Sequence, residues 1–238
     1  MNSYSDIQQK AKAAWQALQQ SKDPVVYVGM GSCGLASGAG AVWDTLQKVK
    51  KKEKLNLIKV GCIGPCYLEP FMDIQAQGSP RLSCNTVDPE RADQLIKGYA
   101  GKAGSRMKPI GHLGDPEEQY NGTRSFWDLP MFKNQERIVL RNCGIVDPED
   151  ILHYIAREGF NGLINTLERS PEAVIEEIKI SGLRGRGGAG FPSYRKWEFC
   201  RDAKSSPKYL ICNADEGDPG AFMNRSLIEG DPFALLEG

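Results

Sequence analysis

The chain lacks both an apolar run long enough to cross a membrane and an export signal at its start. Charged residues interrupt every hydrophobic stretch well short of the roughly 20 residues that a helical span needs. Residues 1–6 supply neither a basic segment nor an apolar one, as a signal peptide would. These absences predict a cytoplasmic protein.

The chain also lacks an excess of charge of either sign. Its 30 lysines and arginines balance 30 aspartates and glutamates, which gives a formal net charge of 0. The balance removes the electrostatic case for binding nucleic acid or an anionic membrane surface. The 238 residues are enough for one large domain or two modest ones.

Histidine is scarce, whereas cysteine is plentiful. The two histidines, His112 and His153, lie far apart and have no ligand-like spacing. The chain has 7 cysteines, and without an export signal they indicate reduced thiols, metal ligands or core packing rather than a disulfide framework.

The first hundred residues alternate between helical and strand patterns. This alternation predicts a small open sheet with helices packed against it, hence an α/β fold. The predicted helices are 1–20, 39–50 and 88–99, and the predicted strands are 25–28 and 55–60.

The remainder divides into a linker and a second ordered part. Glycine, proline, asparagine and charged residues dominate 100–130, which predicts a linker or extended arm. After it we predict strands at 137–140 and 208–212, a helix capped at Asp147, and helices at 159–168, 171–180 and 194–200. The predicted domains are therefore 1–100, the linker 101–134, and 135–238.

Three cysteines follow predicted strands in glycine-rich turns. Cys62 and Cys66 have three residues between them, and Cys33 lies in a similar turn after the first strand. Glycine turns present the backbone amides that iron–sulfur clusters need, so we predict a cluster here. A redox dithiol, a zinc site and a module that has lost its cluster are the alternatives.

The other four cysteines are isolated in sequence. We predict that they are buried core thiols; they are Cys84, Cys143, Cys200 and Cys212.

A glycine- and arginine-rich loop occupies 182–197. Residues 185–190 match G-x-G-x-x-G by letter, but a helical pattern precedes them and Pro192 follows at once. A dinucleotide fold requires a strand before this motif and a helix directly after it, so the Rossmann interpretation fails. Arginines among the glycines indicate a phosphate-binding loop of another design, with a plain glycine-rich linker as the alternative.

An acidic turn at 213–220 follows the last predicted strand. Its asparagine and carboxylates would accept hydrogen bonds from ring nitrogens or from ribityl and ribose hydroxyls. The turn lacks the frame of a calcium loop. A solvated turn at a helix start is the simpler alternative.

These motifs together resemble a known family. The loop at 182–197, the segment 209–220 and the stretch 229–232 are similar to the FMN- and NADH-binding subunit of the complex I type. Residues 137–144 and the N-terminal part further resemble the HydB-like subunits of NAD(P)-linked, electron-bifurcating hydrogenases. The resemblance covers roughly 25–98 and 135–238.

The resemblance implies roles for individual residues. Those expected at the FMN phosphate and ring are Gly185, Arg186, Gly187, Gly188 and Lys196. Those expected at the ribityl chain and ring edge are Asn213, Asp215 and Glu216. Phe191 and Phe199 would stack on the nicotinamide nucleotide and Asp218 would lie near its ribose, although the family often has glutamate there.

The N-terminal part resembles the thioredoxin-like 2Fe-2S module of the same complexes. Cys33, Cys62 and Cys66 match three of its four ligand positions. The fourth cysteine would fall at Val28, which cannot ligate. Cys84 could replace the missing fourth ligand, although its spacing gives no reason to expect this. Alternatively, another group completes the cluster, or the module no longer binds one.

The resemblance implies a flavoprotein subunit. It would exchange a hydride between NAD(P)H and FMN and pass single electrons to iron–sulfur clusters, with a small 2Fe-2S subunit and a hydrogenase or other catalytic subunit as partners. We expect the flavin domain to be incomplete at Gly238, with a 4Fe-4S motif only in the part beyond. A non-catalytic electron-transfer or assembly module, and an enzyme that binds another phosphorylated ligand such as a nucleoside triphosphate, are the alternatives.

Overall fold

A five-stranded mixed sheet organises the N-terminal half. The computed structural model describes residues 3–100, 108–117 and 119–238. The strands are β1 (Val25–Gly29), β2 (Asn56–Val60), β3 (Met72–Gln75), β4 (Leu82–Cys84) and β5 (Gly111–His112), in the order β2-β1-β3-β4-β5. β1 and β2 run parallel, and every other neighbouring pair is antiparallel.

Most predicted helices begin and end close to their predicted positions, whereas the helices at 32–36, 223–230 and 232–237 were not predicted. The helices are α1 (Tyr4–Gln19), α2 (Ser32–Ala36), α3 (Ala39–Lys50), α4 (Pro89–Ala100), α5 (Ile151–Ala156), α6 (Asn161–Leu167), α7 (Pro171–Ile180), α8 (Ser193–Asp202), α9 (Met223–Gly230) and α10 (Pro232–Glu237). Capping explains the clear starts, because Ser3 and Asp6 form a reciprocal capping box on α1 and Ser170 accepts from Ala173 N. The helix predicted from a cap at Asp147 instead begins after Asp150, whose side chain accepts from Leu152 N.

Alternate side chains of β1 fill two different cores. Val26 and Val28 are fully buried with Val42 and Leu46 of α3. Val25 and Tyr27 belong to a second cluster with Leu18 of α1. Because successive side chains of a strand point to opposite faces, helices cover both faces of this sheet. The predicted α/β fold class is confirmed by these elements.

The chain forms two compact units. The first comprises Met1–Gly159 and Glu216–Leu236, and the second comprises Phe160–Asp215 with Glu237 and Gly238. The second unit contains α6, α7, the glycine loop and α8. The division into domains at 100 and 134 stays a prediction.

Part of the predicted linker is built into the first unit. β5 pairs with β4, and Phe126, Leu129 and Phe132 pack with Ile63 and Phe71 in a buried cluster. Aromatic residues here supply enough apolar area to hold a segment that has no helical or strand periodicity. Residues 101–107 and 118 of the predicted linker lie outside the described residues.

Two predicted strands are wrong. Residues 137–140 form no strand and lead into a turn, because the Arg137 guanidinium donates to Leu140 O at 2.7 Å and Cys143 O at 3.2 Å and so folds the segment back. Residues 208–212 have no regular structure, and Leu210 is 98% exposed. A strand needs a neighbour for its backbone hydrogen bonds, and within the described ranges neither segment has one.

No helix within the described ranges combines the length and the apolar character that a membrane span requires.

Candidate metal centre and glycine loop

The three predicted ligand cysteines come together at one edge of the sheet. The sulfurs of Cys33, Cys62 and Cys66 all lie within 4.8 Å of one another, and those of Cys62 and Cys66 are 3.6 Å apart. β1 and β2 are parallel neighbours, so the turns that follow them meet at the same edge. The structure therefore brings together the three cysteines that the sequence singled out.

Glycines allow the two cysteine turns to approach closely. A Cβ at Gly31 would lie 3.1 Å from Cys62 N, and one at Gly34 would collide with Gly29 O. Gly64, in the second turn, has φ of 137°, and its amide donates to Cys62 Sγ at 3.3 Å. Backbone amides near sulfur are what a thiolate or cluster requires.

The sulfurs share protons unequally. A hydrogen bond from the Cys62 thiol lowers the pKa of Cys33 to about 6, although burial opposes this shift. The same hydrogen bond, followed by burial, raises the pKa of Cys62. Burial also raises the pKa of Cys66. A metal ion that binds here would displace the protons of these thiols.

A buried carboxylate that the sequence analysis did not single out lies beside the cysteine cluster. Glu69 is 6% exposed, and its Oε1 lies 3.8 Å from Cys33 Sγ. Its Oε2 accepts from Phe71 N at 2.8 Å. Burial raises the pKa of Glu69 to about 7. The only sequence signal was its position three residues after Cys66.

Of the four remaining cysteines, two are buried as predicted and two are not. Cys84 and Cys143 are buried, and burial raises their pKa values to about 12 and about 11. Cys84 packs in the core with Val26 and is not part of the cysteine cluster, so it is no substitute ligand. Cys200 and Cys212 are exposed, because the segments that carry them bury little apolar surface.

The glycine loop is a tight turn closed at its base. Gly185 N donates to Phe191 O at 2.8 Å, and the Arg184 guanidinium donates to Gly190 O at 2.6 Å. Gly188 and Gly190 have φ of 103° and 60°, which glycine adopts without strain. Within the described chain, the amides of 186–189 have no backbone hydrogen bond. They are available to an anion.

Helices flank this loop on both sides. α7 precedes it and α8 begins at Ser193, so the context differs from a strand-to-helix dinucleotide site, as predicted. Lys196 and Phe199 are exposed on α8.

The acidic turn carries two separate local arrangements. Asn213 Oδ1 accepts from Asp215 N at 2.9 Å. In the first unit, the Glu216 carboxylate accepts from Asn224 N and Arg225 N at 2.8 and 3.0 Å, which caps the start of α9. These amides, Arg225 first, lower the pKa of Glu216. A cofactor role for Glu216 would share the carboxylate with this cap.

The C-terminal part of the chain is similar to an FMN-binding domain and to subunits of hydrogenases. Residues 178–238 match the Nuo51 FMN-binding domain. The chain is 52% identical over 105 residues to the NADP-reducing hydrogenase subunit HndC of Solidesulfovibrio fructosivorans, covering 44% of this chain and 21% of that protein. It is 57% identical over 68 residues to the NAD-reducing hydrogenase HoxS subunit alpha of Cupriavidus necator, covering 29% and 11%.

A mitochondrial relative gives a similar result. The 51 kDa subunit of the NADH-ubiquinone oxidoreductase of Neurospora crassa is 41% identical over 110 residues, which is 44% of this chain and 22% of that protein. The chain thus spans less than a quarter of the length of these relatives. The resemblance to the complex I and hydrogenase flavin subunits is confirmed for its C-terminal part.

Two solved structures also match. A thioredoxin-like 2Fe-2S ferredoxin from Aquifex aeolicus covers 42% of this chain and 100% of its own, with a TM-score of 0.34 and 14% identity. An NAD+-reducing [NiFe]-hydrogenase in the H2-reduced state covers 94% of this chain and 36% of its own, with a TM-score of 0.34 and 21% identity.

Proposed function

We propose that this chain belongs to a flavoprotein subunit that exchanges a hydride between NAD(P)H and FMN and passes single electrons to iron–sulfur clusters. The observation that carries the proposal is the match of residues 178–238 to an FMN-binding domain. The relatives are subunits of hydrogenases and of an NADH-ubiquinone oxidoreductase, so we infer partner subunits of a redox complex. Bifurcation and a cytoplasmic location are parts of the same proposal.

The geometry of the glycine loop fits a phosphate group. The amides of Arg186, Gly187 and Gly188 have no backbone partner within the described chain, and the lack of a Cβ at the two glycines lets a ligand approach. A cradle of unpaired amides attracts an anion. Arg186 and Lys196 would add charge-assisted hydrogen bonds to phosphate oxygens.

The remaining proposed residues would orient the cofactors. FMN, when bound, accepts two electrons as hydride and releases them one at a time. Phe191 and Phe199, 40% and 63% exposed, would supply flat apolar surfaces for the nucleotide. Asn213 and Asp215 would accept hydrogen bonds from hydroxyl groups, with Glu216 and Asp218 as further acceptors.

The cysteine cluster fits an iron–sulfur centre, with zinc as the alternative. Three convergent thiols without a histidine among them offer soft ligands that suit iron and sulfide. We therefore assign Cys33, Cys62 and Cys66 to a 2Fe-2S cluster that would serve as an electron acceptor or donor.

Flavin binding tests the proposal directly. FMN is titrated into the full chain while the quenching of flavin fluorescence is followed, and Lys196→Ala is compared with Lys204→Ala. Both lysines are exposed, but only Lys196 belongs to the proposed site. Loss of a charge-assisted contact of about 1.5–3 kcal/mol weakens FMN binding about tenfold or more in the first variant and leaves the second unchanged.

Two results would contradict the proposal. Binding of a nucleoside triphosphate in preference to FMN would favour the alternative enzyme class. A chain that binds no flavin but holds an iron–sulfur cluster would favour the electron-transfer module.

Anaerobic bleaching of the bound flavin by NADH or NADPH would identify the hydride donor.

A further inference from the structure

Two pairs of ligand groups at the sheet edge are each close enough to share one metal atom, although Cys33 also accepts a hydrogen bond from the Cys62 thiol. Cys62 and Cys66 have their sulfurs 3.6 Å apart, and Cys33 Sγ lies 3.8 Å from Glu69 Oε1. Two sulfurs bound to one tetrahedral metal at about 2.3 Å are separated by about 3.8 Å, and a shorter metal–oxygen bond reduces this slightly. Each pair thus lies close to the separation that a single metal atom requires.

The side-chain directions of β1 explain why this strand supplies no ligand beside Cys33. Val28 is fully buried in the core with Met72 and Val42, on the face away from the cysteines. Its neighbour Gly29 faces the other way, where a Cβ would lie 3.0 Å from Glu69 Oε2. The place next to Cys33 is therefore filled by Glu69 across an empty glycine position.

The Glu69 carboxylate is held in place and has no cationic partner among the described residues. Phe71 N fixes one oxygen at 2.8 Å, which leaves the other directed at Cys33. Among the described residues no lysine, arginine or histidine forms an ion pair with it, whereas the nearby Asp73 has Arg81. A buried ionised carboxylate is costly unless a proton, a cation or a metal compensates its charge.

We propose that Glu69 is the fourth protein ligand of a 2Fe-2S cluster, in which Cys62 and Cys66 bind one iron and Cys33 and Glu69 bind the other. This inference rests on the proposed function of the cysteine cluster. A carboxylate carries the same charge as the thiolate it replaces, so the charge of the cluster is unchanged. The oxygen is a harder ligand, so the two irons become inequivalent.

Replacement of Glu69 tests the assignment. The full chain is reconstituted anaerobically with ferrous iron, sulfide and a thiol reductant, and iron, acid-labile sulfide and visible absorption are measured. Glu69→Gln keeps the size of the side chain but removes the charge. We expect it to lose its cluster to a chelator about tenfold faster or more, or not to form the cluster. Glu90→Gln, at an exposed position on α4, is the matched control and behaves like the unaltered chain.

A rescue variant separates ligation from folding. In Gly29→Cys with Glu69→Ala, the new thiol enters the space that the carboxylate leaves, and Gly29 has no positive φ that would oppose a side chain. We expect this double variant to regain the cluster, with electron paramagnetic resonance and resonance Raman signatures of all-thiolate ligation that differ from those of the unaltered chain. Glu69→Ala alone does not regain it.

The possible failures are distinguishable. If the unaltered chain takes up zinc or no metal, both the proposed cluster and the assignment of Glu69 are overturned. If it holds iron and sulfide while Glu69→Gln is equally stable and spectroscopically identical, only Glu69 is overturned and the cluster remains.

Discussion

Two apolar segments of this chain differ in structure: one is a buried strand, and the other is exposed and irregular. β1 contains Val25–Val28, each 0–1% exposed, whereas Tyr209, Leu210 and Ile211 are 81–98% exposed without regular structure. Both segments have the β-branched and aromatic residues that favour strands. β1 lies between β2 and β3 with helices on both faces, and within the described ranges 208–212 has no strand beside it. A strand sequence becomes a strand only where a neighbour supplies hydrogen bonds and a core.

The largest expected effect of this difference is on proteolysis. Chymotrypsin should cleave after Tyr209 at least about a hundredfold faster than after Tyr27, since an opening cost of about 2.8 kcal/mol already gives that factor. The measurement is mass spectrometry of a digestion time course. Equal rates at the two tyrosines would show that β1 is not protected.

A broken ion pair in the first unit should have the next largest effect. Asp73 and Arg81 are buried, and Arg81 also donates to Gly144 O at 2.6 Å and lies over the Tyr27 ring. Arg81→Met leaves a buried carboxylate without a partner and should lower the free energy of unfolding by about 3–5 kcal/mol.

The control for Arg81→Met is an exposed ion pair. Lys97→Met disrupts the contact with Asp93 on α4 and should leave unfolding unchanged. Urea unfolding followed by tryptophan fluorescence compares the two variants. A loss in both, or in neither, would contradict the role assigned to burial.

Matched leucines sharpen the comparison of the two segments. Leu46 is fully buried on α3 and Leu210 is 98% exposed. Leu46→Ala should cost about 2–5 kcal/mol because it leaves a cavity, whereas Leu210→Ala should change stability by less than about 0.5 kcal/mol. Urea unfolding of the two variants decides; a large loss for Leu210→Ala would mean that 208–212 is buried in solution.

The smallest effect concerns a helix cap in the second unit. The Ser170 hydroxyl accepts from Ala173 N at 3.2 Å, and Ser170→Ala should destabilise α7 by about 1 kcal/mol. Amide hydrogen exchange within 171–180 should accelerate while exchange in β1 stays unchanged. Exchange that is unaltered in α7 would show that packing, not the cap, stabilises the helix.

Local signals predicted the helices better than the strands. Ala39–Lys50 is a helix at the predicted bounds, since its apolar spacing is contained in the segment itself. The composition of 137–140 favours a strand just as strongly. Within the described ranges, however, no other strand pairs with this segment, and the Arg137 guanidinium donates to its carbonyls instead. Residues 119–134 show the reverse case, because their aromatic residues are packed in a buried cluster although their spacing has no helical or strand period.

In the candidate metal site too, the sequence indicated some of the residues, and only the tertiary structure revealed the others. The glycine turns and the spacing of Cys62 and Cys66 were visible in the sequence, as was Cys33 after the first strand. Glu69 was one acidic residue among 30, and only its burial beside Cys33 distinguishes it. The exposure of Cys200 and Cys212 likewise depends on packing that their neighbours in sequence do not reveal.

The sequence by itself determined most of the longer helix spans, which three cysteines lie in the glycine turns after strands, and the glycine loop, because caps, periodicity and short spacings act within a few residues. The tertiary structure alone decided which apolar runs became strands, that Val28 faces the core while Gly29 faces the cysteines, and that Glu69 lies against Cys33. Those outcomes depend on hydrogen bonds and contacts between residues far apart in the chain, which no local pattern encodes.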